Sequence, residues 1–232
     1  MFPLHDDNPT KIIPFITYIL IGSCVLAFFW QLSLGDYAQN AVLSLGMIPA
    51  VVFNTQQLHP DLVTVPALAT FFTSMFLHGG WMHLTGNMLY LWIFGNNVED
   101  AMGHKRFIVF YLICGVAAAL AQALPDPGST TPMIGASGAI SGVLGAYLLL
   151  YPHARVLVVI PFGFYIHTTR IKAGWVLGFW FALQIFNSVM SGDQQGGVAW
   201  GAHIGGFVAG LALIPFFKYK HVALFAPARS HY

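Results

Sequence analysis

The sequence predicts an all-α membrane protein: a bundle of six transmembrane helices in one polytopic domain over residues 1–232, with both termini cytoplasmic. Three observations lead there. The chain is 57% hydrophobic and 7% charged, with a mean hydropathy of +0.70, whereas soluble domains carry about 25% charged residues. So few charges could not cover a water-facing surface of this size. Six apolar stretches, about residues 12–34, 74–96, 106–124, 133–151, 173–191 and 197–217, each approach the roughly 20 residues a helix needs to cross a hydrocarbon core of about 30 Å. Lastly, the basic residues are segregated among the connections.

The first stretch follows a short, partly acidic start (His5, Asp6, Asp7, Lys11) and lacks a clear small-residue cleavage site. It is therefore expected to be a retained helix rather than a signal peptide. The connection 35–73 is punctuated by Gly, Pro and Asn yet stays rich in Leu, Val, Phe and Ala. A long apolar loop is not freely solvated, so short helices lying partly in the outer interface are expected. The second stretch ends near Glu99 and Asp100, expected to cap that end and meet a nearby basic residue. Cys24 and Cys114 fall inside the first and third stretches, where a thiol behaves as a small apolar side chain. Between the fourth and fifth lies VLVVIPFGFYI (156–166), interrupted by Pro161 and Gly163 and flanked by Arg155 and Arg170. It is too short to cross, and is expected to lie along the cytoplasmic interface. The continuously apolar segments lack period-two alternation, which argues against a transmembrane strand barrel.

The nine basic residues are Lys11; Lys105 and Arg106; Arg155, Arg170 and Lys172; and Lys218, Lys220 and Arg229. With six crossings all four groups fall on one side. The connections 35–73, 125–132 and 192–196 contain no Lys or Arg. The positive-inside rule makes the basic side cytoplasmic.

Polar residues inside a crossing are costly, and each is a candidate for function. They are His78, His83 and Asn87 in the second stretch, Ser137 and Ser141 in the fourth, Gln184 and Asn187 in the fifth, and His203 in the sixth. Stretches two, four and six run from outside to inside, which places His83, Ser137 and His203 together roughly 5–15 Å below the outer surface at 1.5 Å per residue. Ser137, Ser141 and Gly145 share one helical face, as do His203, Gly206 and Gly210. Small-residue faces let membrane helices approach closely, and packing these two faces together would bring Ser137 to His203. His83 and Asn87, four residues apart, offer two uncharged donors suited to an oxyanion hole completed by a backbone N–H beside Ser137. Gly135 and Gly138 would let backbone approach a substrate carbonyl there.

Each residue also has a plainer reading. Ser137 alone fits a packing serine as well as a nucleophile, and the soluble-hydrolase elbow G-x-S-x-G does not apply because position 139 is Ala. His203 alone fits a structural histidine bonded to a carbonyl. His78 and His83 lie about 140° apart on a helix, with no thiolate or carboxylate at their depth, so no metal site is expected. His78 is expected to steady the loop or a water, and Gln184 and Asn187 to bond neighbouring helices. The joint pattern of shared depth and complementary faces favours a site. A small transporter or channel would need polar groups continuing to the inner side, which the inventory does not provide.

The motifs HGGWMHLTGN (78–87), GASG (135–138) and AHIGGFVAG (202–210) resemble those of the rhomboid intramembrane serine proteases, with the resemblance running from about residue 12 to 217. It implies a rhomboid-type six-helix fold, with Ser137 as nucleophile and His203 as general base. It further implies His83, Asn87 and the Ser137 backbone N–H as oxyanion-hole donors. Supporting positions are His78, Gly135, which opens the serine loop, Gly138 and Ser141, with Glu99 in a structural role. The chain departs from many members in lacking a Trp-Arg pair in the first external loop and in carrying Ser141 where a tyrosine stacks on the catalytic histidine.

The activity implied is endoproteolysis of transmembrane segments near the outer face, by a dyad and without a cofactor. Partners implied are membrane-protein substrates and the lipid bilayer, not nucleic acid. The expected location is the inner membrane of a bacterial or archaeal cell, with the site open to the external or periplasmic side. A loop, or the fifth stretch with its Phe179, Trp180 and Phe181, is expected to control lateral access. The alternative is a non-catalytic rhomboid-like protein that binds membrane clients.

Overall fold

The computed structural model describes residues 2–162, 165–191 and 198–226. The chain opens with strand β1 (Phe2–Asp6) and helix α1 (Phe15–Ser33). The long connection then folds as short helices, including α2 (Ala38–Leu45), α3 (Pro49–Val52) and α4 (Thr70–Thr73). Helix α5 (Trp81–Tyr90) passes through a π-helical turn at Leu91–Gly95 into α6 (Asn96–Met102). Next come α7 (His104–Ala123), α8 (Ser137–Leu150), the hairpin of β2 (Arg155–Phe162) and β3 (Tyr165–Lys172), α9 (Ala173–Ser191) and α10 (Trp200–Phe217).

Among the described residues four helices are long and apolar enough to cross a bilayer, and a fifth span results if the segments Pro60–Phe76 and Trp81–Met102, bent by 82°, count as one. This is an integral membrane protein. Helix α8 has 14 residues, or about 21 Å at 1.5 Å per residue, well short of a full hydrocarbon core. It compensates by burial: nearly all of it is enclosed, against α7 and α10 in particular.

Small residues make that enclosure. A Cβ on Gly210 would collide with the Gly142 carbonyl, one on Gly206 with the Gly138 carbonyl, and one on Gly145 with the Phe207 carbonyl. Lipid tails are as apolar as leucine, so burial from water does not drive this contact. Close backbone approach and the dispersion it gains do. The face of His203, Gly206 and Gly210 does meet α8 through its two glycines, but the opposing residues are Gly138, Gly142 and Gly145. Of the expected face of Ser137, Ser141 and Gly145, the two serines line the cavity instead.

Three differences from the sequence expectations have clear causes. Residues 156–162 and 165–166 of the segment expected to lie along the interface are strands of a three-stranded sheet of order β1-β2-β3. Strand β2 pairs antiparallel with β1, Phe2 opposite Val159 and Asp6 opposite Val156, and with β3, Arg155 opposite Lys172 and Phe162 opposite Tyr165. Val156 and Val158 point into the core while Arg155 is exposed, the period-two pattern of a strand with one buried face. The fold is thus a helical bundle with a small sheet at one end. Second, the fourth stretch begins its helix at Ser137 rather than 133. Gly135 has φ +117°, outside the helical region, and residues 133–136 form a loop instead. Third, His78 is not on a helix: Leu77 is extended, and α5 starts only at Trp81. The 140° separation expected for His78 and His83 therefore does not apply. Of the expected connections, 192–196 lies outside the described residues, as does Arg229.

The first long connection is braced without a Trp-Arg pair. Met47, fully buried, forms a two-way backbone bridge with Met133. The Ala50 N–H donates to Ser129 O at 2.9 Å, and Thr73 Oγ1 to Leu45 O at 2.6 Å. Gln31 of α1 clamps the entrance to α5 by accepting from the His78 N–H at 3.0 Å and donating to His78 O at 3.3 Å.

At the sheet end, Glu99 and Asp100 cap α1 and the residues before it rather than their own helix. Glu99, fully buried, accepts from Ile16 N (2.9 Å), Thr17 N (2.8 Å) and Thr17 Oγ1 (2.7 Å), and meets the His104 ring. Asp100 accepts from Lys11 N and Ile12 N, both at 3.1 Å. A carboxylate at a helix N-terminus satisfies orphan donors and the helix dipole together.

Candidate active site

A cavity of about 780 Å³ opens where α5, α8 and α10 begin. Its wall includes His83 and Asn87 from α5, Ser137 and Ser141 from α8, and His203 from α10, with Trp180 of α9 beside them. Five of the residues singled out from sequence therefore share one concavity, each carried by one of three different helices. His78, Gly135 and Gly138 do not line it but build its frame.

Ser137 is the first residue of α8, half-buried. At that position the backbone N–H has no intrahelical acceptor, since a helix leaves its first four N–H groups unspent. Gly135 sets the geometry before it. Its N–H donates to Ser74 O at 2.9 Å, and a Cβ there would lie 2.7 Å from Cε1 and Nε2 of His83 and 3.7 Å from Nδ2 of Asn87. Only glycine combines this positive φ with so close an approach. The serine loop and the α5 side chains thus sit in contact.

The tautomer of His83 follows from its partner. The Gly79 N–H donates to Nδ1 of His83 at 3.3 Å, so in the neutral ring the hydrogen resides on Nε2, the atom beside Gly135. Asn87 is 8% exposed, and among the described residues its Nδ2 has no hydrogen-bond partner. Buried donors are nearly always paired, so an unpaired one on a cavity wall is the mark of a site that supplies it to a ligand. Two donors on adjacent turns of α5, with the N-terminus of α8 close by, make a neutral pocket able to hold developing negative charge.

His78 lies behind this wall. It is 2% exposed, its Nδ1 lies 3.2 Å from Phe76 O, and its ring meets that of His83 edge-on at 5.1 Å. It is thus tied to the loop through Phe76 O and packed on His83. Among the described residues no group of three or more His, Cys, Asp or Glu is placed to hold a metal ion.

His203 is half-buried near the start of α10. Its Nδ1 lies 2.8 Å from Oε1 of Gln184 on α9, and the rings of Trp180 and Trp200 stand 5.9 and 6.0 Å away. Gln184 does bond a neighbouring helix. The three aromatics expected to act together on α9 divide: Trp180 meets His203, Phe181 stacks on Phe207 at 4.2 Å, and Phe179 is exposed. Ser141 turns its hydroxyl onto the Ser137 carbonyl at 2.7 Å. The sequence inventory omits Gln122, which lines the cavity and accepts from Ala202 N at 3.2 Å. Its position as a lone amide near the end of an apolar stretch was the available signal.

A sequence model of one family, the Rhomboid domain, matches residues 66–220. The chain is 30% identical over 218 residues to Rhomboid protein 1, mitochondrial, of Saccharomyces cerevisiae, covering 90% of this chain and 53% of that protein. It is 32% identical over 200 residues to Rhomboid protease GluP of Bacillus subtilis, covering 86% and 35%. With Rhomboid-like protease 5 of Toxoplasma gondii it shares 33% identity over 144 residues, 59% of this chain and 15% of that one. The chain thus spans about half the length of the yeast relative and about a third of GluP. It belongs to the rhomboid family of integral membrane proteins.

Proposed function

We propose that this protein is an intramembrane serine endopeptidase that cleaves transmembrane segments of other membrane proteins near the outer face of the bilayer. The observation that carries this is the convergence of Ser137, His203, His83 and Asn87 on one cavity. Kinship with proteins named as rhomboid proteases supports it.

In this reading Ser137 Oγ attacks the scissile carbonyl carbon as its proton passes to His203. The carbonyl π electrons move to the oxygen, which His83 Nε2–H, Asn87 Nδ2–H and the Ser137 backbone N–H receive. Collapse breaks the C–N bond, and His203 returns the proton to the leaving amine. Water entering the cavity then hydrolyses the acyl-enzyme with His203 again as base. Among the described residues the one acidic residue lining the cavity is Asp126, in the 125–132 connection. In this reading the centre is a dyad, and the chemistry calls for no cofactor. A substrate helix shields its own peptide bonds, so its upper part must unwind into the cavity.

Six crossings, with α8 as a short central one, and cytoplasmic termini complete the proposal. Charge segregation supports this orientation and an outward-opening site in a cell membrane. Purified protein in lipid nanodiscs is incubated with a transmembrane reporter, and the cut is located by mass spectrometry. Ser137→Ala and His203→Ala are each expected to abolish cleavage while remaining folded, and a fluorophosphonate probe to label wild type but not Ser137→Ala. Binding of the reporter by wild type without any cut would instead identify a non-catalytic client-binding protein.

A further inference from the structure

His203 has to present one nitrogen to Ser137, and the Ser141 hydroxyl is engaged with the Ser137 carbonyl. What holds the ring lies on α9. Trp180 and Gln184 are four residues apart, hence on one face of that helix. The Trp180 ring lies against His203 at 5.9 Å and 36°. Gln184, 6% exposed, places Oε1 2.8 Å from His203 Nδ1.

The direction of that hydrogen bond is determined by a second one. Gln184 Nε2 lies 3.1 Å from the Trp180 carbonyl oxygen. A carbonyl only accepts, so the amide NH₂ faces Trp180 and the amide oxygen faces His203. An amide oxygen also only accepts, so His203 Nδ1 carries the hydrogen. In a neutral imidazole the lone pair then resides on Nε2.

We propose that Gln184 is a positioning residue of the reaction. It holds His203 in the Nδ1-protonated tautomer, so that Nε2 is free to take the Ser137 proton, while Trp180 limits rotation of the ring. The proposal rests on the protease reading given above. Gln184 does not line the cavity, so it acts through His203 and not on substrate. It performs the orienting part of the role that a buried aspartate plays in a triad, and being neutral it places no charge within the membrane, where an ion is costly.

Histidine-15N-labelled full-length protein, in wild-type form and with His203→Ala for assignment, reports the tautomer directly. The hydrogen of His203 is expected on Nδ1 in wild type. Gln184→Met keeps the length but removes the acceptor. It is expected to give mixed tautomers and a kcat roughly 10–100-fold lower with KM unchanged, short of the 10⁴-fold loss caused by enforcing the wrong tautomer. Gln184→Glu restores an acceptor and is expected to recover most of the turnover. Wild-type His203 protonated on Nε2 would overturn the proposal without any variant. So would a wild-type kcat in Gln184→Met, which would assign the side chain to packing alone. If Ser137→Ala and His203→Ala still cleave, the protease reading falls and this proposal with it. If they do not, and Gln184→Met turns over normally, only the proposal falls.

Discussion

Glu99 at the sheet end and Asn87 at the cavity end are both buried polar side chains, separated along one continuous helix by about three turns. The Glu99 carboxylate accepts from two backbone N–H groups and a hydroxyl and touches a histidine. Among the described residues the Asn87 amide nitrogen has no partner, and Asn87 is part of the cavity wall. Burying either group away from water carries a penalty of several kcal/mol unless hydrogen bonds replace the lost solvation. For Glu99 it is replaced, and the carboxylate holds the structure. For Asn87 one donor is left open, as the proposed oxyanion pocket requires. Substitutions at the two ends should therefore separate stability from activity.

The largest effect on stability is expected from Glu99→Ala, which strips four partners at once. Removing one side of a buried, charged network costs about 3–5 kcal/mol. Denaturant unfolding in detergent should show that loss, while the molecules that remain folded cleave a reporter at the wild-type kcat. A drop in kcat per folded molecule larger than the drop in stability would show that the two ends are coupled.

Asp6 tests the sheet end by pH. It is 3% exposed, and receives hydrogen bonds from the Tyr147 hydroxyl and from Asn97 Nδ2 at 3.0 Å. Burial pushes its carboxyl up from 3.8 to about 6, with the Tyr147 hydrogen bond acting in the opposite direction. The folded protein then keeps a proton that the unfolded chain has released. Its contribution is most favourable below about pH 4 and is lost as pH rises toward 6. At 1.36 kcal/mol per pKa unit the change is about 3 kcal/mol. The stability difference between wild type and Asp6→Asn should follow that curve, and should stay flat above pH 6.5. A difference that is constant across pH 4–6 would mean that Asp6 is not desolvated by the sheet.

The asymmetry between the ends also explains what could be read from sequence. The spans announce themselves because each is a long apolar run whose signal is local. The cavity residues are legible because their spacing, His83 with Asn87 and Ser137 with the following small residues, is a helical repeat that survives without coordinates. The sheet was not legible, since β2 finds its partner β1 some 150 residues earlier in the chain, and Val156 and Val158 alone resemble an interfacial stretch. The start of α8 was misplaced by four residues because an apolar loop and an apolar helix have the same composition. Only the positive φ of Gly135 separates them. The partnership of Gln184 with His203 joins two helices through a connection whose course periodicity does not report. Trp180 and Gln184 on one face were the trace it left.

Asn87→Ala makes the smallest change and divides the two ends most sharply. Removing one oxyanion donor lowers kcat by about a hundredfold in enzymes that use such a pocket, equivalent to about 2.7 kcal/mol, and that is the loss expected here with KM little changed. Stability should move the other way from Glu99→Ala. Deleting a buried amide nitrogen that has no partner among the described residues removes an uncompensated desolvation cost, so the unfolding midpoint should hold or rise slightly. Reporter cleavage and thermal unfolding measured on the same preparation give both numbers. A variant that loses stability as Glu99→Ala does would place Asn87 among the structural polar groups, and leave His83 and the Ser137 backbone to hold the oxyanion by themselves.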